Sequence, residues 1–308
     1  MLDRLTLAAE VAAALSNGHA VVAVESAWIT HGFEYPENRD IAFAAQAAIR
    51  ERGAVPAIIA ICDGRICVGL TDTQVQQLAT AANAWRTARP TLSFALTRSG
   101  WASTTVSATL IATAAAGIRV LATGGIGGVH GNPHRQSALA SESLDVSADL
   151  DQLARSPVAV VCAGPKSILD VAATIEALES RGVPVVTIGA QNVPGYWSQD
   201  SGITSPVSVP SVLEAGRMAS LQLSLGLGGM LICRSIPPSD AIPRDDLIRS
   251  IAAAIEAAQT ADVRGGAVTP WILARLAEAT DGRSINATKA AVVHSARLAA
   301  ELATLIDV

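Results

Sequence analysis

Short, almost wholly apolar runs that alternate with amphipathic stretches constrain this chain most. Ala20–Val24, Val55–Cys62, Arg119–Ala122, Val158–Cys162, Val183–Ile188 and Met230–Cys233 are each too short for a buried helix and carry apolar residues toward both faces. Strands of that kind belong to a largely parallel sheet covered by helices on either side. The intervening segments supply the helices. Leu5–Leu15, Pro36–Arg52, Thr73–Asn83, Thr104–Ala116, Ser167–Ser180 and a stretch after Pro210 read at helical period, with Asn17-Gly18, Gly53 and Gly117 as stops. Arg65–Leu70 follows Val55–Cys62 across Asp63-Gly64, a hairpin turn, so the sheet is mixed. Thr91–Leu96 reads as extended and Gly189–Pro210 as irregular. From Pro243 onward only helices are predicted, over Asp245–Thr260, Thr269–Ala279 and Asn286–Ile306. The expected fold class is α/β, a three-layer α/β/α sandwich around a mixed, largely parallel sheet, with a helical C-terminal layer. No repeat or linker divides residues 1–308, so a single domain is expected.

Composition narrows the function. The chain is 50% hydrophobic but only 3% aromatic, so its core is built from Ala, Val, Ile and Leu. A net charge of −5 with no basic cluster argues for a small substrate and against a nucleic-acid polymer. Cys62, Cys67, Cys162 and Cys233 match no zinc spacing and read as reduced thiols. The start Met1-Leu2-Asp3-Arg4 is no signal segment, and no apolar run reaches the roughly 20 residues of a membrane helix. A cytoplasmic protein without membrane contact is expected.

Of 22 basic residues only Lys166 and Lys289 are lysines. A position needing only charge can drift to arginine, whereas one needing a deprotonatable amine cannot. Lys166 follows the run Val158–Cys162 and the tight exit Ala163-Gly164-Pro165, at the predicted start of a helix. A helix N-terminus and an apolar sheet edge both disfavour the ammonium form, and a neutral amine can form a Schiff base with an aldehyde. The alternative is a solvated lysine in a helix's first turn.

Other candidates also sit where strands end. Glu25 closes the strand Ala20–Val24, where a carboxylate suits proton transfer or merely faces solvent. Thr123-Gly124-Gly125-Ile126-Gly127-Gly128-Val129-His130 can offer amides to a phosphate, with His130 as a further donor, or can be a structural turn. It lacks the dinucleotide-binding spacing. Asp145 and Asp149 bracket Ser147; they could hold Mn²⁺ or Mg²⁺, or Ser147 could simply cap a helix over Asp149–Arg155.

Together these segments resemble the pseudouridine-5′-phosphate glycosidase family, also called indigoidine synthase A-like. The resemblance rests on Glu25-Ser26 with His31-Gly32 and Tyr35-Pro36-Glu37-Asn38, on Gly53–Ala57, Asp63–Leu70, Thr104-Thr105-Val106, Ala122–His130, Asp145–Leu150 and Pro157–Asp170. It spans nearly the whole chain. It implies an α/β/α homotrimer with a divalent metal, manganese or magnesium, and a lysine imine at C1′ of ribose 5-phosphate. On that resemblance Lys166 is the nucleophile, Glu25 the proton donor and Asp145 the metal residue. Val106, Ser147, Ala148 and Asp149 are substrate contacts, and His130 with the glycine loop meets the sugar phosphate.

The chain also departs from the family. A substrate-binding lysine is here Arg86, the nucleobase-holding asparagine falls at Thr288, an Asn-Asn pair is His294-Ser295, and bulky Trp28 and Trp101 replace smaller residues. Gly131–Glu142 carries extra residues. A hydroxyl cannot match both donor and acceptor on a uracil edge, and tryptophan faces suit a flat aromatic ring. The resemblance therefore points to the branch that attaches ribose 5-phosphate to an aromatic polyketide aglycone, as in alnumycin-type biosynthesis. The alternatives are cleavage of pseudouridine 5′-phosphate and a non-catalytic sugar-phosphate sensor.

Overall fold

The computed structural model describes residues 2–130, 145–261, 263 and 268–306; Gly131–Glu142 lies outside them. The strands are β1 Leu5–Leu7, β2 Val21–Val24, β3 Val55–Cys62, β4 Arg65–Val68, β5 Trp85–Thr87, β6 Trp101–Thr104, β7 Val120–Ala122, β8 Ala159–Cys162, β9 Val185–Ile188, β10 Val207–Val209 and β11 Met230–Cys233. The helices are α1 Ala9–Ser16, α2 Ala27–His31, α3 Glu37–Arg50, α4 Asp72–Ala79, α5 Leu92–Ala95, α6 Val106–Ala115, α7 Ala148–Arg155, α8 Val171–Glu179, α9 Val212–Ser224, α10 Arg244–Thr260, α11 Val268–Ala279 and α12 Arg283–Ala303.

All strands join one sheet in the order β1-β4-β3-β2-β7-β8-β11-β9-β10, with β6 beside β3 and β5 beside β6. Long β3 pairs parallel to β2 through Val55–Ile58, then antiparallel to β4 and β6 through its second half. The remaining pairings are parallel. Alternate residues of each apolar strand enter opposite cores. Val22, Val24, Ile58, Val161 and Ile232 pack with α3, α9 and α12, whereas Val21, Ala23, Ile59, Val160 and Leu231 pack with α1, α6, α7 and α8. The three-layer mixed fold is thus the one expected. Burying each Val or Ile contributes roughly 1.5–3 kcal/mol. Small side chains let α12 lie directly on β2, β7 and β8, through Ala291, Ala296, Ala299 and Ala300. The C-terminal layer is therefore part of one sheet face, with α10 and α11 packed at its end.

Several local expectations fail for identifiable reasons. Leu5–Leu7 is a strand, because Leu5 and Leu7 pair with Ile66 and Val68 of β4. Thr91–Leu96, read as extended, is helical: Pro90 starts a 3-10 turn that runs into α5. The helix after β8 begins at Val171, where the Asp170 side chain accepts from the Ala173 amide at 2.9 Å, and not at Ser167. All four cysteines are free thiols; Cys162 and Cys233 are buried with sulfurs 4.0 Å apart, and Cys62 and Cys67 are half-buried.

Candidate active site

Neighbouring parallel strands β2, β7 and β8 end side by side and deliver Glu25, Thr123 and the loop to Lys166. From β2 the chain proceeds to β3 on one flank and later reaches β7 on the other, so strand order reverses between β2 and β7. Such a reversal opens a crevice at the carboxyl ends of the strands, the usual ligand position in sheets of this type. Glu25 is only 7% exposed there. Its Oε1 accepts a hydrogen bond from the Thr123 hydroxyl. Burial pushes the Glu25 carboxyl up from its ordinary value; Lys166, the Thr123 bond and Arg86 pull it down, and Asp149 adds to the rise. A carboxyl that holds its proton more tightly beside an amine is suited to donating that proton.

Lys166 is half-buried. Its amide donates to Ile126 at 3.2 Å, which lays its loop along the glycine loop. Gly164 makes the turn at φ +101°, with the Pro194 carbonyl 2.5 Å from where a Cβ would stand. Because α8 starts at Val171, Lys166 is not in the first helical turn that the sequence predicts for it. Its charge reaches Glu25.

The glycine loop packs closely against its neighbours. A Cβ at Gly125 would meet the Tyr196 ring at 2.6 Å, one at Gly127 the Ser147 side chain, and one at Gly128 the Thr174 side chain. The Gly127 amide donates to Asp149 Oδ2 at 3.0 Å, Val129 to Thr174 Oγ1 at 2.9 Å and His130 to the Asp145 carbonyl at 3.0 Å. Those three amides are committed within the protein.

Asp149 is buried and likewise committed. Besides the Gly127 amide, it accepts the Ser107 amide on Oδ1 at 2.8 Å, inside the first turn of α6 that Val106 opens. Ser147 caps α7, accepting from the Asp149 amide at 3.2 Å, and half-buried Ala148 begins that helix. Arg86 lies on β5, exposed, and its charge reaches both Glu25 and His31. Thr288 on α12 accepts from the Trp197 indole nitrogen at 2.7 Å and donates to the Ser284 carbonyl at 2.8 Å.

Trp28 and Trp101 pack against the core of the α3–α12 face, with Trp28 edge-on to Phe33, so they fill core. Tyr196 and Trp197 form a buried aromatic pair, their rings 5.0 Å apart, and the charge of Glu25 reaches the Tyr196 phenol. Tyr196 sits at φ +60°, a strained conformation for a bulky residue. Burial pushes its phenol up and Glu25 adds to the rise, while Thr288 opposes it. In the sequence Thr123 stands out only as the first residue of the glycine-rich loop, and Tyr196 and Trp197 carry no expected role. The one available signal was an adjacent aromatic pair after Pro194-Gly195 in a chain poor in aromatics.

Asp145 has a 66% exposed side chain, with the His130 ring nitrogen 3.9 Å from it. Among the described residues no group of three His, Cys, Asp or Glu gathers to enclose a metal ion. One exposed carboxylate fits a hard cation that keeps most of its waters, as Mg²⁺ and similar ions do, and does not fit a dehydrated cage.

Comparison with known proteins gives a consistent assignment. The model of the indigoidine synthase A like protein family matches residues 10–305. A pseudouridine-5′-phosphate glycosidase of Solibacter usitatus is 46% identical over 296 residues, covering 96% of this chain and 97% of that one. One of Deinococcus radiodurans is 42% identical over 300 residues, 97% and 94% of the two chains. Among solved structures, the prealnumycin C-glycosynthase AlnA in complex with ribulose 5-phosphate superposes with a TM-score of 0.89 at 31% identity, over 98% and 97% of the chains. An indigoidine synthase A-like protein of Thermotoga maritima gives 0.83 at 30%, over 97% and 95%.

Proposed function

The chain belongs to the indigoidine synthase A-like family, and from that premise we propose that it makes or breaks the carbon–carbon bond at C1′ of a ribose 5-phosphate unit through an imine on Lys166. One observation carries the proposal: a buried Glu25, bonded to Thr123, lies under the electrostatic influence of Lys166 where strand order reverses.

In the cleavage direction the neutral amine of Lys166 bonds to C1′ while the C1′–ring-oxygen bond breaks, and Glu25 gives that oxygen a proton. The new ammonium returns a proton to Glu25, its nitrogen lone pair then expels the base carbon, which takes that proton from Glu25, and a protonated imine is left. Water adds at C1′ and releases ribose 5-phosphate and free Lys166. Bond formation reverses these steps, with an electron-rich aromatic carbon attacking the imine. Asp145 would hold a mainly hydrated Mn²⁺ or Mg²⁺, which when bound supplies positive charge for the phosphate end. Arg86, His130 and the α6–α7 ends around Val106, Ser147 and Ala148 are proposed to orient the sugar phosphate.

Cleavage of pseudouridine 5′-phosphate is supported by the 42–46% identity to glycosidases, against 31% to the C-glycosynthase. A second reading, ribosylation of an aromatic aglycone, is favoured by Thr288. Its hydroxyl is taken by Trp197, so no free amide is offered to a uracil edge there. Borohydride reduction with ribose 5-phosphate tests the shared step, and a pentose phosphate is expected on the Lys166 peptide. An unmodified peptide sinks the imine and favours a sugar-phosphate sensor. Uracil release, followed by its absorbance, then separates the two directions.

A further inference from the structure

Beyond the Lys166 centre, the carboxyl ends of β9 and β11 open into a cavity of about 630 Å³. That is the size of a small-molecule site, at the end of the sheet where such sites form. Glu25, Thr123, Asp149 and Lys166 do not line it. Ile236, on its wall, packs in the same cluster as Tyr196 and Trp197.

Two nitrogen-bearing side chains of interest line this cavity, His294 and Arg234. His294 of α12 has its Nε2 buried without a hydrogen-bond partner among the described residues. Buried polar atoms nearly always have partners, so an orphaned one calls for an explanation. Arg234, the first residue beyond β11, is exposed and enters none of the ion pairs among the described residues. The two lie near enough that Arg234, after burial, disfavours a charge on His294; Arg297 acts the same way and Asp240 opposes them. Asp200 is the one carboxylate on the wall, and it is engaged internally. Its Oδ2 accepts from Asn192 at 3.0 Å and its Oδ1 from the Gly202 amide at 2.5 Å.

We propose that this cavity binds a small organic anion, its phosphate or carboxylate held by Arg234 and His294 and its apolar body resting on Ile188, Ile236 and Pro237. The planar guanidinium offers paired donors that match an oxyanion, and the bound oxygen gives the His294 nitrogen the partner it lacks. The site is independent of the imine chemistry.

The test is a titration of the full chain, carrying ring-labelled histidine, with inorganic phosphate and separately with benzoate. The His294 signal, assigned by its loss in His294→Gln, should shift and saturate with at least one probe. Arg234→Gln should weaken that binding about tenfold or more, the equivalent of one charge-assisted hydrogen bond. Arg234→Lys should retain part of it. Saturation by phosphate alone identifies a phosphorylated ligand, and by benzoate alone a carboxylate. A His294 signal that neither probe moves, or equal affinity in the wild type and the folded Arg234→Gln protein, overturns the proposal.

Discussion

The amide of Ser107 donates to Oδ1 of Asp149 over 2.8 Å, while the Gly127 amide donates to Oδ2 at 3.0 Å. One buried carboxylate thus fastens the first turn of α6 to the glycine loop, at the end of the helix where negative charge is favoured. Asp149→Ala leaves those amides without an acceptor and should cost about 2–4 kcal/mol. Asp149→Asn keeps one acceptor oxygen and should cost less. Urea unfolding of the three proteins checks the order, and equal midpoints would contradict this role.

Glu25 should make stability depend on pH. Because burial raises its folded-state pKa, its contribution to stability is fully present below the ordinary value of 4.5 and is lost as pH rises through the folded value. Glu25→Gln should therefore melt with the wild type below pH 4.5 and above it at higher pH, while turnover is lost. A melting difference that shrinks as pH rises would refute the assignment.

Thr123 lowers the Glu25 pKa through its hydroxyl. Thr123→Val should move the alkaline limb of the rate profile upward, because Glu25 loses a hydrogen bond that favours its charged form. Thr123→Ser should restore it. A purely structural Thr123 would change the rate without moving the limb.

Lys166→Arg preserves charge but cannot form an imine. Turnover should fall at least about a thousandfold, as when a nucleophile is removed, with no borohydride-trapped adduct. Substantial residual turnover with normal substrate affinity would count against covalent catalysis.

Thr288→Val removes the acceptor of the Trp197 indole and should destabilise the chain by about 1–3 kcal/mol. Thr288→Asn restores an acceptor and adds an amide donor. A rise in uracil release in that variant, relative to the wild type, would show that Thr288 limits use of a nucleobase.

The strand ends that carry the candidate residues were legible because the runs before them are apolar on both faces. Val158–Cys162 pointed to β8 and so to the placement of Lys166, and Ala20–Val24 did the same for Glu25. The hairpin at Asp63-Gly64 also formed, with both residues at positive φ. What stayed hidden depends on distant partners. Leu5–Leu7 is extended only because β4 lies beside it, and three-residue β5 has no pattern apart from β6. The hydrogen bonds that Asp149 accepts come from Ser107 and Gly127, both remote in sequence. The position of Tyr196 rests on a backbone angle that no side-chain periodicity encodes.

Across the reversal of strand order between β2 and β7, opposite halves of the polypeptide supply the proposed acid, Glu25, and the proposed amine, Lys166. A peptide ending before β7 has one of them, and a peptide starting after β2 has the other. Turnover therefore reports that the sheet has zipped up across its middle, a slow kind of pairing between remote segments. In a refolding experiment helical signal should return first, and activity last.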